Sequence, residues 1–249
     1  MPITAQTLYR DSLNFFKHQL LNIVMLSVLA ALLTTLLRHF LMPDGEQLKL
    51  LSDIQNIFRE TGSEGIKNFS ENLTLEQQSM LLGAARTTFG ILLVEILGKS
   101  LLTASVLILI SAISSGHQVN ALQAGKLAFA QLPKMLLLIF IYTLLVQLGY
   151  ALMVIPGVLF SFAFAFAPII LLTNRLGIVA SMRASWKLAF DNFRLLIVAI
   201  LLWHAIELIL ALSLPKLPYI ALTTLNNLLS SMLLIYLFRL YMLTRPQNQ

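Results

Sequence analysis

Six stretches of this chain are apolar and nearly uninterrupted, and no other feature limits its fold so strongly. They run from Leu20 to Leu37, Thr87 to Ser111, Met135 to Ile155, Val158 to Thr173, Leu195 to Leu214 and Tyr219 to Leu243. A hydrocarbon core about 30 Å thick asks for roughly 20 apolar residues per helical crossing, and only a helix or a closed barrel satisfies its backbone there. The fold class that follows is an all-α integral membrane protein with about six transmembrane helices. The fourth run is the shortest. Pro156-Gly157 ahead of it reads as the turn of a hairpin with the third run, so a re-entrant or tilted path is the alternative to six full crossings, which remain the preferred reading.

Composition agrees with the run lengths. Of 249 residues, 58% are hydrophobic and only 11% charged, against about 25% charged in soluble domains. The chain reads as a single membrane domain, 1–249. Its net charge of +6 is spread between apolar runs, as topology determinants are, and this argues against nucleic acid as a partner. With no cysteine, disulfides, thiolate metal sites and cysteine nucleophiles are excluded together. Arg38, His39 and Phe40 follow the first run where a signal-peptide cleavage site of small residues would stand, so that run is expected to remain as a helix.

Positive residues resist translocation, which orients the spans. An inside N-terminus places Arg10, Lys17, Lys126, Lys134, Arg175, Arg183, Lys187, Arg194, Arg239 and Arg245, ten of the seventeen Lys and Arg, on the cytoplasmic side, with both termini there. The outer side receives Lys216 and residues 43–86, whose seven carboxylates face only Lys49, Arg59, Lys67 and Arg86. This acidic segment is too long for a structureless loop and is expected to form a small helical cap outside. Leu48, Leu51, Ile54 and Phe58 recur at helical spacing, and Thr74-Leu-Glu-Gln77 has the form of a capping box opening a helix into span two.

The tetrapeptide KLAF occurs twice, at Lys126-Leu-Ala-Phe129 and Lys187-Leu-Ala-Phe190, sixty-one residues apart. As a helix from Ile178 to Arg194, the second copy gathers Ile178, Val179, Met182, Trp186, Ala189, Phe190 and Phe193 on one arc, with Arg183, Lys187 and Arg194 along its edge. An apolar face bordered by cations suits a helix lying in the cytoplasmic headgroup layer. Arg10 with Lys17, and Lys126 with Lys134, give similar basic pairs before spans one and three. The expectation is a threefold series of interfacial amphipathic helix, outward span and inward span, its seven basic residues resting on anionic lipid.

Several segments together match a known family. Ile3-Thr-Ala-Gln-Thr-Leu-Tyr-Arg-Asp-Ser12, Leu75-Glu-Gln-Gln78, Leu132-Pro-Lys134, Leu145-Val-Gln-Leu-Gly149, Ile155-Pro-Gly-Val158, Ala180-Ser-Met-Arg183 and Leu234-Ile-Tyr-Leu-Phe-Arg-Leu-Tyr-Met-Leu243 resemble the YciC-type (UPF0259) family of uncharacterised bacterial inner-membrane proteins, over essentially the whole chain. The resemblance implies a multi-pass protein of a Gram-negative inner membrane and carries over no catalytic or binding residue. Pro156-Gly157, Pro168, Gly177, Ala180, Ser185-Trp186, Leu188 and Asn192 are also similar to the membrane domain of some glycerophosphodiester phosphodiesterases, whose catalytic barrel this chain lacks. Fold analogy of that kind does not deliver function.

Ionisable residues inside spans are the best functional clue, because each costs about 2.5–3.5 kcal/mol at a helix centre. Glu95 and Lys99 stand four apart in span two, and span five carries Trp203, His204 and Glu207. Similar depth makes Glu95, Lys99, His204 and Glu207 a candidate intramembrane polar site or proton path. A purely structural reading, which the spacing favours, has Glu95 neutralise Lys99 within its own helix while His204 and Glu207 find local partners. Thr223, Thr224, Asn226, Asn227, Ser230 and Ser231 make span six polar and suggest hydrogen bonds between helices. Arg38, His39 and Arg239 near span ends are expected to snorkel.

Enzyme motifs do not appear. Gly98-Lys99-Ser100 mimics the end of a phosphate-binding loop, but Leu93 occupies the required first glycine. His18, His39, His117 and His204 are too scattered for zinc. The expectation is therefore a non-enzymatic membrane scaffold that binds lipid or a membrane-protein partner, with no cofactor and no metal. A small-solute or ion transporter using the buried charges of spans two and five is the alternative.

Overall fold

A computed structural model describes residues 5–41, 49, 52, 74–214 and 216–244. The described segments are helical: α1 (Ala5–His18), α2 (Leu20–His39), α3 (Leu75–Ser114), α4 (Ala121–Leu152), α5 (Val154–Ala163), α6 (Ala167–Asn174), α7 (Ile178–Asp191), α8 (Phe193–Ser213) and α9 (Tyr219–Thr244). Six segments are long and apolar enough to cross a membrane: Leu20–His39, Gln78–Ser114, Ala121–Leu152, Ile155–Asn174, Phe193–Ser213 and Tyr219–Thr244. These coincide with the six runs read from sequence. Most of the proposed outer cap, 43–48, 50, 51 and 53–73, lies outside the described residues, whereas Thr74 stands at the start of α3 and its carbonyl accepts from Gln78 N at 2.9 Å.

Residues 1–33 with 96–249 form one compact unit and residues 34–95 another. In the larger unit, the second half of α3 is the core. Ala104, Val106, Leu107, Leu109 and Ile110 are fully buried, and a helix buried on all sides needs no polar face. Ala30 and Ala31 of α2, Phe162 of α5, Phe166, Ile169 of α6 and Ile235 with Leu240 of α9 complete it. In the smaller unit, Leu41 lies against Gly90, where an added Cβ would stand 3.3 Å from its Cδ1.

Span three turns into span four at Met153, which is extended at φ −165° and ψ 160°, rather than at Pro156-Gly157. Proline is tolerated in the first turn of a helix, where its missing N–H costs nothing. The glycines serve close packing instead. A Cβ on Gly149 would lie 2.7 Å from Gly157 N, and one on Gly157 would collide with the Tyr150 ring. Span four itself is broken between α5 and α6. Buried Ser185 of α7 bridges the gap, its hydroxyl donating to Ala163 O at 2.7 Å and accepting from Phe166 N at 3.1 Å. Without water, free backbone groups cost several kcal/mol each in lipid. Ser185 thus makes the break tenable.

The two KLAF segments share one burial pattern. Ala128 and Ala189 are fully buried, as are Ala124 and Ser185 four residues earlier, while both lysines and both phenylalanines face out. In α1 the corresponding buried residues are Leu8 and Ser12, beside exposed Arg10. On α7 the buried stripe is Ser181, Ser185 and Ala189. Val179, Trp186, Phe190 and Phe193 of the apolar arc remain largely exposed, as a lipid-facing surface requires. Trp186 and Phe190 also reach Phe160, Phe162 and Phe164 of span four in ring contacts of 5.3–6.5 Å.

In the first and third units the basic helix is a separate element, α1 before α2 and α7 before α8. The middle unit is different: α4 runs unbroken through Pro133, so its basic segment is the N-terminal extension of span three. Asn120 and Gln123 start it with a reciprocal capping box. Asn22 Oδ1 of α2 accepts from Ala121 N at 3.1 Å, joining the starts of spans one and three.

Candidate functional site

The four ionisable residues of spans two and five do not share one cluster. Glu95 pairs with Arg38 at 3.0 Å, both half-buried, so Arg38 does more than snorkel. His204 Nδ1 lies 3.8 Å from Glu207 Oε2, one helical turn away. Lys99 has no ion-pair partner among the described residues. Lys99 and His204 instead line one partly open cavity of about 130 Å³, walled by α3, α4, α5, α6, α8, α9 and the broken stretch of span four. Such a volume exceeds several-fold the ~10–15 Å³ that a water molecule requires.

The cavity wall is polar at intervals. Thr103, Tyr142, Ser161, Trp203, Asn227 and Ser230 contribute to it, with Phe164 and Ala165 from the break in span four and Pro168 from the first turn of α6. No carboxylate among the described residues lines it. Irregular backbone at membrane depth is tolerated where it lines a cavity or is buried in protein, and both conditions hold here. Trp203 Nε1 and His204 Nε2 are buried without a hydrogen-bond partner. Lys99 and His204 are legible in the sequence as ionisable residues within spans, whereas nothing in the sequence marks Trp203 and the helix break as parts of the same wall.

Of the polar residues in span six, Asn227 does join helices, donating from Nδ2 to Ser27 O of α2 at 3.0 Å. Ser231 and Thr224 bond back to their own helix. At the other end of α9, Arg239 lies 5.3 Å from the Phe15 ring of α1, within the range of a cation–π contact. Tyr241 donates to Asn174 Oδ1 at 2.8 Å, tying α9 to the end of span four. Span six is a hub.

A second feature lies between α1, α8 and α9. It is an apolar groove of about 460 Å³, walled by residues that include Leu195, Val198, Leu202, Ile206, Leu229 and Met232. Gln6, Tyr9 and Arg194 stand along it, all exposed. Tyr236 closes one side by donating to Leu195 O at 2.9 Å. From Arg194 to Ile206 the groove follows α8 for about 18 Å at 1.5 Å per residue. The remaining basic residues of the interfacial segments, Arg10, Lys17, Lys126, Lys134, Arg183 and Lys187, are likewise exposed, with no ion pair among the described residues. Also among those residues, no three His, Cys, Asp or Glu side chains gather as a metal site would require.

Six helices long and apolar enough to cross a membrane mark a multi-pass α-helical membrane protein. The chain belongs to the uncharacterised protein family UPF0259, whose family model matches residues 1–243. It is 48% identical to a UPF0259 membrane protein of Photorhabdus laumondii, covering 100% of this chain and 99% of that one. A UPF0259 membrane protein of Serratia proteamaculans is 45% identical, over 98% of this chain and all of the relative, and one of Yersinia pestis is 44% identical, over 99% and 98%. No solved structure matches the chain.

Proposed function

We propose that this protein is a non-enzymatic lipid-binding scaffold of the bacterial inner membrane, with both termini cytoplasmic, and that its ligand is an anionic phospholipid of the inner leaflet. The groove between α1, α8 and α9 carries this reading. Its wall suits an acyl chain, and Arg194 supplies an uncompensated positive charge at one end, where a phosphate or phosphatidylglycerol headgroup would sit. The exposed cations of α1, α4 and α7 add a diffuse attraction worth about 1 kcal/mol per residue near an anionic surface. A membrane-protein partner would dock on the same face.

Native mass spectrometry of delipidated protein offered phosphatidylglycerol or phosphatidylcholine tests the reading. Preferential retention of phosphatidylglycerol, reduced in Arg194→Gln, is the expected result. Equal retention of both lipids, unaltered by the substitution, overturns it. Transport of a small solute or ion is the second reading, favoured by the polar cavity at Lys99 and His204. Flux in vesicles that is lost on changing Lys99 would support it.

A further inference from the structure

The cavity beside the break in span four has a chemical bias. Lys99, an exposed side chain that lines the cavity from a segment within a span, is a cation without a carboxylate partner among the described residues. Trp203 Nε1 can only donate a hydrogen bond, and here it is buried with no acceptor. His204 Nε2 is likewise buried and unpartnered, and its Nδ1 lies 3.8 Å from Glu207 Oε2. Buried polar groups are rarely left unpaired, and each such exception asks for a reason.

One occupant would answer Lys99 and Trp203 at once: a negatively charged hydrogen-bond acceptor. A cation would face Lys99 with no compensating carboxylate on the wall. Water could satisfy the indole N–H but would leave unpaired the charge of Lys99, whose side chain is exposed on the surface of the molecule within a span. From this arrangement we infer that the cavity is a binding site for a small soluble monoanion, of the size of a halide, nitrate or short carboxylate, held by Lys99 and Trp203 beside His204. The site is distinct from the lipid groove and does not depend on it, although Trp203 contributes to both walls.

Trp203 is also the reporter. The chain has two tryptophans, so Trp186→Phe leaves a single indole at the proposed site. Iodide, a monoanion that quenches indole fluorescence on contact, is titrated into that variant in phosphatidylcholine nanodiscs. The expected result is saturable quenching, displaced by nitrate, with affinity about tenfold or more weaker after Lys99→Met, as loss of a charge-assisted bond implies. Lys99→Arg should retain saturation, which guards against a general folding defect in the methionine variant. Quenching by neutral acrylamide should be similar in all three proteins.

Linear quenching that ignores nitrate, equal in the parent and Lys99→Met proteins, overturns the site. Nanodiscs containing phosphatidylglycerol separate the two sources of negative charge. Unchanged iodide affinity there supports a soluble anion, and its loss would mean that a lipid headgroup fills the cavity, overturning the assignment. Arg194→Gln, which addresses the groove, should leave iodide binding unaltered.

Discussion

Spans four and five are almost equally apolar and are 20 and 21 residues long, yet they sit differently in the molecule. In the most apolar part of span four, 56% of residues are buried within the protein; in span five the share is 11%. Span four is broken at 164–166 and span five is continuous. The two facts belong together. A backbone break survives where protein groups such as Ser185 can satisfy it, and a helix facing lipid must satisfy its own backbone. Hydropathy reports that a segment avoids water, without reporting whether protein or lipid replaces it.

Substitutions can break that comparison, and the buried span should lose most. Gly149→Val at the α4–α5 contact sets a Cβ 2.7 Å from backbone nitrogen, which no side-chain rotation relieves; overpacking of this kind costs about 1–3 kcal/mol or more. A large fall in thermal midpoint in detergent, or failure to accumulate, is the outcome to look for. Ser185→Ala removes both bonds across the break and should cost about 1–3 kcal/mol for each group left unpaired. A denaturation midpoint like that of the parent would show that the break does not rely on Ser185.

Smaller effects sharpen the contrast. Asn227→Leu deletes the bond to Ser27 O, and membrane hydrogen bonds between helices average about 0.6 kcal/mol, so only a modest drop in the same assay is expected. Leu201→Val, on the exposed side of span five, should lie within about 0.5 kcal/mol of the parent. If Leu201→Val proved as damaging as Ser185→Ala, span five would have a protein neighbour on that face.

The positions of the six spans were legible because apolar run length is a direct consequence of bilayer thickness. What packs against what was less so. Pro156-Gly157 reads as a turn, but the turn is at Met153, because proline is harmless in a first helical turn and glycine was needed for close approach. The aromatic arc of α7 was visible in the spacing. Its buried stripe of Ser181, Ser185 and Ala189 was not, because small residues carry little hydropathy.

Pairing of charges followed the same limit. Helical spacing suggested Glu95 with Lys99, a local rule, whereas Glu95 meets Arg38, fifty-seven residues away in sequence. That partner is set by how α2 and the first part of α3 meet within residues 34–95, which no local pattern encodes. Lys99 and His204 were identifiable as costly residues within spans, and their common cavity became apparent only with the break in span four. Recurrence of KLAF marked a shared burial pattern, since both copies bury the alanine and expose the lysine and phenylalanine, although the first lies in the N-terminal extension of span three and the second in a separate helix.

Span five is the least buried of the six, and whether it crosses the bilayer decides the account. The absence of cysteine allows a direct measurement, with Lys187→Cys and Lys216→Cys placed on either side of it. In spheroplasts, an impermeant maleimide should label the cysteine at 216 at once and reach the one at 187 only after the membrane is opened. Labelling of both from the same side would contradict the crossing, the leaflet assigned to the basic helices, and the lipid groove beside Arg194.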